Sequence, residues 1–457
     1  MTYDTADTLH RLMKQLLDTG AASSVAEAKA IFAGYKLCFV IEDVAARNRH
    51  HQAALLTGVA LASRVFLGGV DVVAGTDTLL VTPLPLGRTL HEAIRRLGGR
   101  VVESRKERTP TIFVGAEAGS RAEGFQMRTA YCGWRAAALP LHADFEHGED
   151  YVVALAPMAA AAFAVSEAYF FVQGQTKIAG KRPMGLSLWN PAGRNWQRFD
   201  RTAPRLEFLP SRLWLIGLGH LGQAFLWALS LLPYSTPAEV SLVLQDIDKV
   251  TPSTPSTSIL TDASMVGKKK ARTCASWAED RGFSTAITER MFDELCKRSD
   301  VEPTVALCGL DNALGRRALD GAGFDFIVEA GLGRGHRDFR TMRLHTLPAS
   351  RPASSIWNAA PSEEDLTGRA AYKNMLDSGE LDRCGVTLLA GKAVGAPFVG
   401  ATAACLAIAE VLRLLHGGSV HELLDFDLQS PEQILAVTSA RDFASLNPGY
   451  VSAQPGG

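Results

Sequence analysis

Residues 213–248 read LWLIGLGHLGQAFLWALSLLPYSTPAEVSLVLQDID. An apolar strand runs into the glycine turn GLGHLG, an apolar helix follows, and a second strand ends in a pair of aspartates. Gly217, Gly219 and Gly222 permit a tight turn, close approach of the backbone to a phosphate, and close packing of helix on strand. The helix that begins there offers unpaired amides to an anion. Asp246, at the end of the second strand, stands where dinucleotide enzymes place a carboxylate for the ribose hydroxyls. The stretch predicts a nucleotide-binding α/β unit, with dehydrogenases and other doubly wound enzymes both open.

The residues that follow narrow the chemistry. Asp248 joins Asp246 at the strand end, a polar loop TPSTPSTS leads to VGKKK with Lys268, Lys269 and Lys270, and the apolar strand TVALCGL ends in Asp311 and Asn312. A carboxylate at a strand end beside a phosphate site suits Mg²⁺, and a lysine opposite it neutralises a triphosphate. A dinucleotide reductase needs neither.

Together, the glycine turn, DID, VGKKK, LDN and Arg316, five residues beyond Asp311, resemble the superfamily of ThiF, MoeB and the ubiquitin-activating enzymes. The resemblance spans about 212–428. It implies an ATP site built from Gly217, Gly219, Gly222, Asp246, Asp248, Lys270, Asp311, Asn312 and Arg316. In it Asp246 would hold the ribose, Lys270 the phosphates and Asp311 the Mg²⁺. One departure stands out: where that superfamily carries an asparagine and an arginine, this chain has Thr254 and Thr257. Compensating charge is expected from Lys268, Lys269, or Arg47 and Arg49 of the first half. His220, inside the glycine turn, is read as a tolerated variant rather than a ligand.

The first half echoes the second. KLCFVIE, a helical stretch and VDVVAG repeat the strand, helix, strand order, yet the turn reads EDVAARN and has no glycine, so side chains bar a phosphate from the backbone. Ala160–Glu167 (AAAFAVSE) lies over Ala403–Glu410 (AACLAIAE), and LSLWNP at 186–191 over FDLQSP at 426–431. Two copies of one unit are expected, only one retaining its glycine turn. The arginine- and proline-rich stretch at 190–210 reads as a linker.

Composition sets the bounds. Among 457 residues, 47 lysines and arginines nearly cancel 48 aspartates and glutamates, which gives no argument for nucleic acid or an anionic membrane. The most apolar stretch, VVALAPMAAAAFAVSEAYFFV, contains Glu167 and reads as a buried helix rather than a membrane span. Seven scattered cysteines without a C-x-x-C pair disfavour disulfides and structural zinc and suit a reducing cytoplasm. Six read as structural: Cys38 and Cys308 on strands, Cys274, Cys296 and Cys405 on helices, Cys132 beside aromatics. Cys384 differs, lying in a polar loop before the last long helix, with Arg383 and the amides of CGV placed to stabilise a thiolate. That placement resembles the thioester-forming activating enzymes, and the overall shape, an inactive half fused to an active one with a compact cysteine loop, is most similar to those of bacterial ubiquitin-like conjugation operons, the Bil type.

The expected molecule is α/β: an inactive adenylation-like unit (1–200) paired with an active one (201–440) as a pseudo-dimer within one chain, then a flexible tail (441–457). The resemblance implies adenylation of a ubiquitin-like protein with ATP and Mg²⁺, a thioester on Cys384, delivery to a conjugating-like enzyme, and, by family analogy alone, antiphage defence. A homodimer is left open. The rivals are a sulfur-carrier adenylyltransferase, an NAD-dependent oxidoreductase, and a noncatalytic scaffold, the last favoured by Thr254 and Thr257.

Overall fold

Alternating apolar runs and glycine-bounded turns fold into two large sheets and one two-stranded sheet, seen in a computed structural model that describes residues 4–117, 123–148, 151–174, 176–358 and 365–454. The first sheet comprises β1 (Lys36–Ile41), β2 (Gly69–Ala74), β3 (Arg100–Val102), β4 (Thr111–Val114), β5 (Gln126–Cys132), β6 (Arg135–Pro140) and β7 (Met184–Ser187), in spatial order β3-β2-β1-β4-β5-β6-β7. After a short β8 (Phe208–Pro210) come β9 (Arg212–Ile216), β10 (Ser241–Gln245), β11 (Ser284–Thr288), β12 (Val305–Cys308), β13 (Phe326–Leu332), β14 (Thr341–Leu347), β15 (His421–Asp427) and β16 (Leu435–Thr438), in order β11-β10-β9-β12-β13-β14-β15-β16. Counted from each unit's first strand the order is the same. In both, the first five strands of that order pair in parallel and the next two antiparallel. Two copies of one α/β unit are present, as the internal echoes predict.

Both echoes fall on matching elements. Ala160–Glu167 lies on the helix Leu155–Gln173 and Ala403–Glu410 on the helix Pro397–Leu415, 19 residues each. Their alanines let the two backbones come close, and Cys405 Sγ approaches the carbonyl of Leu155. Both helices are long and apolar enough to cross a membrane, yet here they are buried in the shared core. Each carries one fully buried glutamate with an arginine partner, Glu167 with Arg182 at 3.2 Å and Glu410 with Arg413.

A second helix pair also crosses between the units. In Arg49–Ala62 and His220–Leu231, Trp227 Nε1 donates to Thr57 Oγ1 at 2.9 Å. Just beyond the first of these helices, Arg64 donates to the carbonyls of Ser258, Ile259 and Thr261 in the loop that follows β10.

Two boundary expectations change. Within the 190–210 linker, Trp196 and Phe199 pack on the outer face of the first sheet, with Arg135 between Phe145 and Phe199. The tail is ordered as far as it is described: Phe443 and Leu446 pack on the core, and β17 (Tyr450–Ser452) pairs antiparallel with β8. Its sequence hides this because one short edge strand carries too few alternating residues to register as a strand. Pro455–Gly457 lie outside the described residues.

Candidate functional site

Ile216 ends β9 and Gly217 turns the chain at φ +82°, a conformation in which a side chain is strained. The next helix begins at His220, capped by Gly219, which supplies no side-chain acceptor and around which a Cβ would meet nothing within 4 Å. Its first amides therefore face open space, the arrangement that receives a phosphate. At Gly222 a Cβ would lie 2.0 Å from the carbonyl oxygen of Gly217, so only glycine lets the helix sit against the turn. Asp246 fixes the turn from below, one carboxylate oxygen accepting from the Leu218 amide at 2.7 Å and the other from the Asp248 amide at 2.7 Å.

Acidic and basic groups converge above the turn. Lys270, which opens the helix Lys270–Asp280, donates to Asp248 Oδ2 at 2.9 Å. Burial opposes its charge, but the carboxylates of Asp246, Asp248 and Asp311 outweigh burial and hold the ammonium above the usual lysine range. Asp311 is exposed at the end of the β12 loop, and Asn312 anchors that loop by capping the short helix Ala313–Arg317, accepting from Gly315 at 2.7 Å.

The cation that the sequence did not disclose is Arg11. Burial draws its guanidinium below the usual arginine range, opposed by Asp7, Asp311 and Asp4, so its charge acts on the same carboxylate as Lys270. Its backbone is tied to the site, Arg11 N donating to Ser256 Oγ at 3.1 Å, while Ser253 N donates to the Asp7 carbonyl at 2.8 Å. Nothing in the stretch TLHRLMKQ marks it: the contact arises only when the amino end folds across the loop that holds Thr254 and Thr257.

The other expected donors divide between those held by partners elsewhere and those left exposed. Arg49 opens the first unit's helix, and its charge acts on Arg281, beyond the helix Lys270–Asp280, whereas the far end of its own helix meets the loop after β10. Arg47, two residues earlier, is exposed in that same turn. The Lys269 ammonium caps the carbonyl of Ile247, and Lys268 is exposed. Arg316 is held by Glu329 at 2.7 Å and lies over Trp357, so its guanidinium serves a buried pair on β13. His220 packs against Gly400 of the long helix, and burial lowers its pKa to about 4, leaving it neutral.

Cys384 alone among the cysteines is exposed. It does not lie in a loop: it occupies the first turn of the helix Arg383–Ala390, capped by Asp382, which accepts from Gly385 N at 2.7 Å. One amide expected to serve a thiolate is thereby taken, and a carboxylate that the sequence reading overlooked stands two residues away. Arg383 beside it is exposed. Cys308, read from the sequence as a structural strand cysteine, is fully buried, and burial together with Glu329 pushes its thiol up to about 12. Cys296 is also buried, but in a loop rather than on a helix.

Models of the BilD N-terminal and C-terminal domains match residues 36–188 and 209–418. The bacterial E1-like protein BilD of Collimonas sp. (strain OK412) is 43% identical over 453 residues, covering 98% of this chain and 97% of that protein. The chain belongs to the BilD family. The N-terminal match spans the whole first sheet, the C-terminal match spans β9–β14 of the second and ends before β15, and the ATP-type constellation lies in the C-terminal one. Solved structures with a similar fold include E. coli MccB, at 13% identity over 69% of this chain and 93% of MccB with a TM-score of 0.35. Another is the E. coli tRNA N6-threonylcarbamoyladenosine dehydratase TcdA in complex with AMP, at 16% identity over 45% of this chain and 86% of TcdA with a TM-score of 0.29.

Among the described residues, no group of three or more His, Cys, Asp or Glu side chains is gathered as a metal cage. The site does suit a Mg²⁺ that arrives with a nucleotide, because such an ion needs only one or two carboxylates beside the phosphates. Asp311, exposed and electrostatically linked to Lys270 and Arg11, is a carboxylate that would suit it.

Proposed function

We propose that this E1-like chain adenylates the C-terminal glycine of a ubiquitin-like protein with ATP and then takes the acyl group onto Cys384. The observation that carries the proposal is the convergence of Lys270, Arg11, Asp246, Asp248 and Asp311 above an uncapped helix start, in one unit only. The free amides beside Gly219 bind phosphate. Asp246, already fixed in the turn, takes the ribose hydroxyls. Mg²⁺, held by Asp311, supplies neutralisation of phosphate charge.

In the first step the glycine carboxylate attacks the α-phosphorus, and the bond to the β-phosphate breaks to release pyrophosphate. Lys270 and Arg11 offset the charge that builds there, which is where a preorganised cation lowers a barrier most. In the second, the Cys384 sulfur attacks the acyl carbon, AMP leaves, and the thiol proton passes to water, which reaches this exposed residue. The thioester is then handed to a conjugating-like enzyme. A reducing cytoplasm, which keeps the thiol free, is the setting that goes with this chemistry, and antiphage defence is its family-based context.

The test is calorimetry with Mg-ATP and with NAD⁺, followed by pyrophosphate exchange and gels with and without thiol reductant in the presence of the cognate ubiquitin-like protein. ATP binding, exchange, and a reductant-sensitive adduct lost in Cys384→Ala support the proposal. Tight NAD⁺ binding without ATP binding overturns it. A second reading, adenylation alone as in sulfur-carrier enzymes, draws on the Asp382 carboxylate beside the thiol, and exchange without any adduct would establish it.

A further inference from the structure

One cluster of buried charge lies outside the nucleotide site. Lys14 Nζ stands 2.7 Å from Asp18 Oδ2, both side chains 1% exposed. Burying such a pair is a weak source of stability, because desolvation offsets the attraction unless further hydrogen bonds complete it. Those further bonds reach the cysteine segment. Lys14 Nζ also donates to the carbonyl of Ala390 at 3.0 Å, the last residue of the Cys384 helix. Asp18 accepts from the hydroxyl of Tyr372, on the preceding helix Ala370–Asp377. Burial and the neighbouring Asp18 both raise the Tyr372 phenol, which keeps it a donor. The two helices of this hairpin are thus pinned to one ion pair, with Asn374 adding a bond to the Ser23 carbonyl at 3.0 Å. The same amino-terminal stretch carries Arg11 to the nucleotide loop.

We propose that Lys14, Asp18 and Tyr372 are positioning residues for Cys384, fixing its hairpin on the segment that also delivers Arg11, so that thiol and adenylate share one rigid reference. The proposal rests on Cys384 being the nucleophile. An eight-residue helix spans about 12 Å, so an anchor at Ala390 governs where the other end, with its sulfur, points. Misplacement of a reacting group by about 1 Å costs on the order of 10²-fold in rate.

The experiment measures both half-reactions in full-length Asp18→Asn and Tyr372→Phe, with Lys392→Ala as a control that removes only the half-buried pair to Asp7. Pyrophosphate exchange should stay within about twofold of wild type, while single-turnover thioester formation falls about tenfold or more, a split expected only when positioning for one step is lost. Amide exchange should quicken across 370–391 and not across 217–231. Lys392→Ala should match wild type in all three. If Asp18→Asn fails to fold, Tyr372→Phe, which deletes one hydrogen bond and keeps the ring, carries the test. Equal losses in both steps, or a wild-type thioester rate in the variants, overturn this proposal alone. A wild-type enzyme that exchanges pyrophosphate and forms no adduct overturns the nucleophile assignment and this proposal with it.

Discussion

Two helices begin at the same place in two copies of one topology, and only one of them is open. In the second unit the start at His220 is capped by Gly219, so its amides are free. In the first, Asn48 caps the helix Arg49–Ala62, its side-chain oxygen accepting from the amides of His50 at 2.8 Å and His51 at 3.3 Å. Register extends the contrast. Ile41 pairs with Ala74 as Ile216 pairs with Gln245, which puts Gly75 where the second unit has Asp246. The displaced carboxylate is Asp43, which lies against Gly75 from the turn after β1 and accepts from Thr76 N at 3.0 Å. Ile41 pairs with Val114 as Ile216 pairs with Cys308, which sets Glu117 in the place of Asp311. A cavity of about 650 Å³ remains over the first unit, lined by Asn48, Glu117, Asp144 and Glu146 among others. Its helix-start amides are taken by Asn48, and its three carboxylates outnumber the one arginine in the lining, Arg128, a balance that disfavours phosphate. The lesson is that a nucleotide site is lost by filling its donors as surely as by losing its glycines.

The largest test of the contrast concerns the paired buried glutamates. Arg413→Met should leave Glu410, which is fully enclosed, without its buried cation and with only His421 as partner among the described residues, its amide at 3.0 Å and its ring at 3.1 Å, and destabilise the chain by about 3–5 kcal/mol in denaturant titration. Arg182→Met should cost less, because Arg182 is 17% exposed whereas Arg413 is fully buried; each glutamate keeps one backbone amide, Glu167 that of Gly180 and Glu410 that of His421. Equal losses would mean the two units are not differently buried at this point.

Next in size is catalysis. Lys270→Ala or Asp311→Ala should slow pyrophosphate exchange by on the order of 10²-fold or more, whereas Asp43→Ala should leave it near wild type. Calorimetry showing two ATP molecules per chain would break the contrast outright.

Removing the closed cap is milder. Asn48→Ala should cost about 1 kcal/mol in thermal or urea unfolding and confer no ATP binding on the first unit, since Asp43 and Glu117 remain. A gain of a second site would show that the cap alone silences it.

A pH effect is shared by both units. Burial is the leading cause that lowers His10, His50 and His220 from an ordinary 6.5 to about 4. Between those values the unfolded chain binds more protons than the folded one, so stability should fall as pH drops through that window. Urea midpoints at about pH 7.5 and pH 5 measure it, and His220→Gln should flatten the slope.

Much of this was legible in the chain itself. GLGHLG, DID, VGKKK and LDN are local in sequence, so their strand ends and turns come together as soon as one unit folds. The duplication showed through because helix cores repeat apolar spacing. Arg11, Asp382 and the Lys14–Asp18–Tyr372 cluster were not legible: each depends on contacts across the interface or on a cap, where one residue carries no period. Arg47 and Arg49 misled because they lie before and at the start of the first unit's helix, whereas Arg64, just beyond its other end, meets the loop after β10.

The 190–210 linker joins two units that in a homodimer would have to find each other in solution. Joined by one chain, their docking is unimolecular and is spared the loss of translational freedom that separate partners incur. Dilution therefore leaves the alanine helix pair assembled. Arg64 can rely on three carbonyls of the neighbouring unit with no reciprocal arginine facing it across an axis. A substitution on either side of this junction is expressed once per molecule, not twice, and that freedom is what lets one turn keep its glycines while its twin closes.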